Sequence, residues 1–250
     1  MQQLVAICFT LLATKQLLGK YADLLTESGY PAESSRYFEL AACCPPGMMT
    51  DELRCLLEWF DLKDELRTGW ELRNIDSPET VAAHTWGTAA LCLLYADQEE
   101  IDRQKAVTMA LIHDLGEART GDIATRAEDG CQTIPTSEKE TAERSAVTDL
   151  VGPFKHTELL SLWEEYEARD TPTAQFVKDM DLVDNCLQAL KYERQGRYDE
   201  AEVNDNFAEF ENLDEFFATA APRFQTEFGQ DLFEQIKSEY ESEIGRPCQL

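Results

Sequence analysis

Histidine is scarce in this chain: 250 residues contain three. Basic residues are few as well, with 22 Lys plus Arg against 49 Asp plus Glu, a formal net charge of −27. Such a deficit disfavours binding of nucleic-acid polymers over a broad surface, because phosphates would be repelled, and disfavours attachment to an anionic membrane. Long apolar runs are missing. The uncharged stretch Leu4 to Thr14 has 11 residues, short of the ~20 that a bilayer span needs, and it lacks the basic start of a secretory signal. No membrane partner is expected. The eight cysteines include no CxxC pair and no Cys–His spacing suited to structural zinc. Several lie in apolar helical runs and read as small core residues in a reducing compartment, which points to a cytoplasmic protein. A glycine-rich dinucleotide loop, a Walker loop, a Ser-centred nucleophile elbow and any alternating strand pattern are all lacking, and an all-α fold is what remains.

Apolar residues make up 43% of the chain, enough for an ample core at this length. The acids are spread along the sequence, as on the surface of a globular protein. That pattern matches the proteins of salt-loving archaea, in which strong salt screens self-repulsion. Residues 1–48 differ from the remainder: they hold four acids and three bases, whereas the other 202 residues hold 45 and 19. The breaker cluster Cys43-Cys-Pro-Pro-Gly47 closes this stretch. The expectation is a poorly integrated extension over 1–48, with Met49 a candidate start, followed by one domain over 49–250.

The helical grammar is strong from Asp51 onward. Leu53, Leu56, Leu57 and Phe60 recur at three- and four-residue steps and predict an apolar face. Leu66 to Ile75 reads as a loop in which Arg67 and Trp70, beside Gly69, suit a phosphate and a base. Ser77-Pro78-Glu79 has the form of a helix start, running to about Ala96, with Val81, His84, Thr85, Thr88 and Cys92 on one inward stripe. Asp102 opens another helix, with Ala106, Met109, Ala110 and His113 on one face. A helix over Glu138 to Leu150 carries many acids; Lys139 and Glu143 are within reach of an adjacent pocket, but a solvated face is the plainer reading. Thr157 begins a helix, with His156 at the surface just before it. Thr171-Pro172 begins the next, with Phe176, Val177, Met180, Val183, Leu187 and Leu190 inward and Asp181 and Asp184 on the edge of that face. Acids so near a core need a partner, and a metal would serve. Helices over Phe207–Ala220 and Pro222 to about Ile244 close the chain.

The stretch Ala110-Leu-Ile-His-Asp-Leu-Gly-Glu117 ends an apolar helix in an imidazole and a carboxylate. Three inward helices thus offer His84, the His113-Asp114 pair and Asp181, a ligand set suited to a divalent ion with room left for water and substrate. This H…HD…D order resembles the HD superfamily of metal-dependent phosphohydrolases. The flanks narrow it: Arg67-Thr-Gly-Trp70, Pro78-Glu-Thr-Val81, Ala110 to Glu117, Gly121-Asp-Ile123, Leu162 to Glu167 and Phe176 to Asp181 are similar to the HD-domain 5′-nucleotidases, over about residues 51–200. That resemblance implies an HD-domain helical bundle that hydrolyses nucleoside 5′-monophosphates, preferring deoxynucleotides, with Co, Mn or Mg. It implies His84, His113, Asp114 and Asp181 as ligands, Glu117 and Asp122 as catalytic acids, and Arg67 and Trp70 as phosphate and sugar contacts. It also implies a homodimer. Ala83 departs from the family, where an acid usually precedes the first His. Competing readings are another HD chemistry at the same metal (phosphodiester, triphosphate or alarmone hydrolysis) and a nucleotide-binding protein without turnover.

Overall fold

The structure is a computed structural model that describes residues 50–126, 136–199, 201, 204, 207 and 209–250. The expected extension over 1–48 therefore lies outside the described residues, as does most of the loop before Ser137. The chain divides at Thr50 into two units, and the second, Asp51–Leu250, is the one described here.

The described residues of that unit form the helices α1 Asp51–Asp61, α2 Thr68–Leu72, α3 Val81–Tyr95, α4 Arg103–Ile112, α5 Glu117–Thr120, α6 Thr136–Val151, α7 Thr157–Ala168, α8 Pro172–Gln195, α9 Asp214–Ala220 and α10 Glu227–Ile244. Among the described residues there is no strand, only one antiparallel bridge between Leu66 and Thr80. Side-chain oxygens stop the free backbone N–H groups at several starts: Thr80 accepts from Ala83, Asp102 from Lys105, Thr171 from Ala174 and Thr226 from Gly229. Gly196 and Gly245 end α8 and α10 at positive φ, the conformation that glycine adopts without strain.

Several boundaries differ from the sequence expectation. Ser77 does not cap α3; it sits at φ +52°, and the helix begins three residues later at Thr80. The cause is the bridge, in which the Arg67 N–H donates to the Glu79 carbonyl at 3.0 Å and the Val81 N–H to that of Glu65 at 2.8 Å, holding 79–81 against 65–67. Leu66 to Ile75 is not all loop but carries the short α2. The penultimate helix starts at Asp214 rather than Phe207, and the last at Glu227, after a 3₁₀ turn over Ala221–Arg223. The apolar face expected on α1 points outward: Leu53, Leu56, Leu57 and Phe60 are exposed, and Cys55 is the residue that α1 buries. Leu187 is also partly exposed, with Cys186 buried in its stead.

The long α8 is the centre of the unit. It packs against α3, α4, α7, α9 and α10 and buries thirteen of its residues, so that polar side chains on it are forced to find partners inside the protein. One core cluster surrounds α8, with Trp70, Met109, Phe176, Met180, Phe217 and Tyr240 among its members. A second cluster joins α1, α6 and α7 through Cys55, Val81, Ile112, Leu115, Leu150 and Trp163. His84 is one turn from Val81, His113 and Asp114 lie between Ile112 and Leu115, and Asp181 adjoins Met180. The candidate ligands therefore sit where the two clusters meet, and each is rooted in packed residues.

Candidate metal centre and its cavity

His84 and His113 are buried, and their Nε2 atoms face each other at 3.3 Å. Asp181 Oδ1 is 3.1 Å from His84 Nε2; Asp114 Oδ2 is 3.1 Å from His113 Nε2 and 3.6 Å from His84 Nε2. His84, His113 and Asp114 offer ligand atoms close enough to share an ion, and Asp181 adjoins that group through His84.

The other ring nitrogens explain why the Nε2 atoms are available. His113 Nδ1 lies 2.6 Å from the Ala110 carbonyl, which can only accept, so Nδ1 carries the proton. His84 Nδ1 lies 2.7 Å from Asp184 Oδ2, which fixes its proton on that side. Both rings then aim bare nitrogens inward at two carboxylates. Asp114 Oδ2 is buried without a hydrogen-bond partner. Four electron-rich atoms crowded in this way repel one another unless a cation lies among them. Burial and Arg67 would both push the His84 imidazolium down, yet its hydrogen bonds to Asp181 and Asp184 overcome them and lift it to about 10. The place calls for positive charge, and a divalent ion fits the donor set better than a proton.

The remaining Asp181 oxygen is anchored. Oδ2 accepts from the Tyr166 hydroxyl at 2.9 Å and from Lys178 Nζ at 2.6 Å. Burial would raise this carboxyl, but Lys178 and His84 hold it well below the ordinary range. Burial acts likewise on Asp114, against His113, His84 and Arg67, which together hold it low. Trp163 Nε1–H donates to the His113 carbonyl at 3.1 Å and the Tyr166 ring packs edge-on against His113, so the loop that carries the His-Asp pair is held from α7.

Glu117 opens the one-turn α5. It is buried, its Oε2 has no hydrogen-bond partner, and burial with Asp114 and Asp122 nearby raises its carboxyl well above the usual range. Asp122 is differently placed. The Thr68 N–H donates to its Oδ2 at 2.6 Å, and Arg67 Nη1 lies 3.3 Å from its Oδ1 and 3.6 Å from Asp114 Oδ2. With both oxygens accepting, Asp122 orients Arg67. The expected stacking role of Trp70 does not fit: the indole is 1% exposed, stacked on Phe216 at 3.9 Å, and donates to Glu79 at 3.0 Å. It is core that supports the cavity wall.

The cavity beside the ligands has a volume of about 360 Å³, room for a nucleotide-sized molecule. Leu72, Ile123, Phe207 and Phe216 give it an apolar side. Lys139 and Glu143, read from sequence as a solvated face, line it too, 3.5 Å apart. Arg126 and Glu215 form a two-point ion pair in its wall, at 2.7 and 3.1 Å. Sequence reading missed the Tyr166 and Lys178 anchors and the wall residues Arg169 and Arg223. Lys178, three residues before Asp181 on one helix face, was the only one with a local signal.

An HD-domain family profile matches residues 60–225. The chain is 35% identical over 162 residues to the 5′-deoxynucleotidase HDDC2 of Bos taurus, covering 62% of this chain and 76% of that one. It is 31% identical over 197 residues to the HDDC2 protein of Dictyostelium discoideum, covering 73% and 97%. A solved structure, a conserved hypothetical protein from Pyrococcus furiosus, is similar at 28% identity with a TM-score of 0.54, covering 74% of this chain and 97% of that one. With two histidines and two aspartates meeting where these helices cross, the chain belongs to the HD-domain family.

Proposed function

We propose that this protein is a metal-dependent phosphomonoester hydrolase that cleaves nucleoside 5′-monophosphates, deoxynucleotides among them, to nucleoside and phosphate. One observation carries the reading: two imidazole nitrogens with their protons turned away and the Asp114 carboxylate lie close enough to share one ion, with Asp181 3.1 Å from the first imidazole, beside a nucleotide-sized cavity. The curated relatives of this chain that are named 5′-deoxynucleotidases support the substrate class.

His84, His113, Asp114 and Asp181 would hold the ion, with Co, Mn or Mg as candidates. A divalent ion there supplies two things, a lowered pKa for a water and compensation of phosphoryl charge. Glu117 takes the proton of the attacking water, since burial gives its carboxylate a raised affinity for protons and one oxygen is uncommitted. Arg67, held by Asp122 and Asp114, faces the phosphoryl oxygens. The apolar side at Phe207 and Phe216 receives sugar and base. A homodimer is part of the reading: Trp86, Leu93 and Leu94 lie exposed along α3, suited to a second copy.

The test is phosphate release from deoxynucleoside monophosphates, cyclic nucleotides and deoxynucleoside triphosphates, each with Co, Mn and Mg. Monophosphates alone should turn over. His113→Ala should lose both bound metal and activity, and unchanged turnover in that variant would end the assignment. Glu117→Gln should keep the metal and lose about 10²–10⁴ in kcat. Sedimentation of Trp86→Asp tests the dimer, which should become a monomer.

A further inference from the structure

We propose that Arg169 and Arg223 together form the anion-receiving end of the cavity, taking the phosphoryl oxygens of a bound phosphomonoester and then the inorganic phosphate released. This rests on the monophosphatase reading above. Arg67, Arg126, Lys139, Arg169, Lys178 and Arg223 bring positive charge to the cavity wall. Four of them are already neutralised: Arg67 by Asp114 and Asp122, Arg126 by Glu215, Lys139 by Glu143 and Lys178 by Asp181. Arg169 and Arg223 form no ion pair or side-chain hydrogen bond among the described residues. In a chain of net charge −27, two arginines in one cavity wall with no carboxylate in ion-pair contact are out of keeping with the whole; Glu167 is the acid within the field of Arg169.

Their environment leaves them needing a partner. Arg169 Nε is buried with nothing to donate to, a costly arrangement that an anion relieves. Arg223 is half-buried; burial pulls its guanidinium below the ordinary range, Asp181 opposes the fall and Arg169 adds to it. That places Arg223 within the field of a candidate metal ligand, on the Tyr166–Lys178 side of the centre. Planar guanidinium groups bind phosphate oxygens in pairs, which a lysine cannot do.

The backbone at Arg169 makes the idea testable. Arg169 ends α7 at φ +55°, where glycine is the favoured residue. Its N–H donates to the Glu165 carbonyl at 3.1 Å, and its own carbonyl accepts from Gln175 Nε2 at 3.1 Å. None of these contacts needs the guanidinium, so Arg169→Gly removes the charge from a position that tolerates glycine.

The experiment is calorimetric titration of the metal-loaded full chain with inorganic phosphate and, separately, with deoxyadenosine. Arg169→Gly and Arg223→Gln should each weaken phosphate binding about 10- to 100-fold. Deoxyadenosine affinity and bound metal should stay as in the wild type, and the melting temperature should not fall. Arg223→Lys should recover part of the loss. The KM for deoxyadenosine monophosphate should rise in both neutral variants with little change in kcat. Wild-type phosphate affinity in Arg169→Gly and Arg223→Gln would overturn the proposal. Should Arg223→Gln fail to fold, Arg169→Gly decides alone. If the wild type releases no phosphate from any nucleoside monophosphate, the functional reading fails, while the phosphate titrations still judge the arginine pair.

Discussion

Single residues in this protein carry charge into places where it is costly, and Glu143 is the clearest case outside the ligand set. Burial lifts its carboxyl to about 7 from an ordinary 4.5, although Lys139 pulls the other way. A carboxyl raised by folding binds more protons in the folded than in the unfolded chain. The folded state therefore benefits below about pH 4.5 and loses that benefit as pH rises through about 7. Gln has the same shape and no titration. In chelator, the unfolding free energy of Glu143→Gln relative to wild type should grow by on the order of 2 kcal/mol between about pH 4 and about pH 8. Denaturant titrations at the two pH values check this, and a constant difference would mean that the carboxyl meets water. At the same scale, the ligands were legible in the sequence because His84 falls on an apolar stripe and Asp181 on the edge of one. Periodicity reports burial, and a buried acid or imidazole demands a partner. Arg169 and Arg223 were not legible. They stand at a helix end and in a 3₁₀ turn, 54 positions apart, where no period marks them.

At the scale of elements, most helices could be read from their start signals, and each error has a physical cause. Asp102 and Thr171 cap as expected because nothing competes for them. Ser77 fails because the bridge at Leu66 and Thr80 delays α3. The outward apolar face of α1 was illegible because a pattern of leucines gives the face and not the side on which it is covered. Where α3 crosses α8, the packing sets the centre. A Cβ at Gly87 would collide with the carboxylate of Asp184, the group that orients His84. Gly to Ala inside a helix ordinarily adds about 1 kcal/mol of stability. Here Gly87→Ala should instead displace Asp184, free the His84 ring and weaken metal binding about 10- to 100-fold. Competition with a metal indicator measures that. Normal affinity would mean that Asp184 moves without His84 following.

At the scale of the whole molecule, the described outer surface is mostly acidic. The last helix is representative: Gly229, Phe233, Ile236 and Tyr240 are buried along one stripe, while Glu227, Asp231, Glu234 and Glu239 face outward. The outer faces of such helices account for much of the charge of −27, whereas the cavity mixes six basic side chains with eight acidic ones. The basic side chains of the cavity, with a bound cation, would draw a phosphate dianion inward, while repulsion among the outer acids is a cost. That cost depends on screening, whose range falls from about 10 Å at 0.1 M salt to about 3 Å at 1 M. Raising monovalent chloride over that interval should therefore raise the melting temperature, by about 2–4 °C for each kcal/mol of repulsion removed. Calorimetric scans at graded salt follow the trend, and sucrose in place of salt separates screening from a general solvent effect. A melting temperature that rises with salt and not with sucrose would place the cost in the acidic surface. A flat response would mean that the outer carboxylates stand too far apart to repel, and the salt-adapted origin suggested by the composition would lose its physical basis.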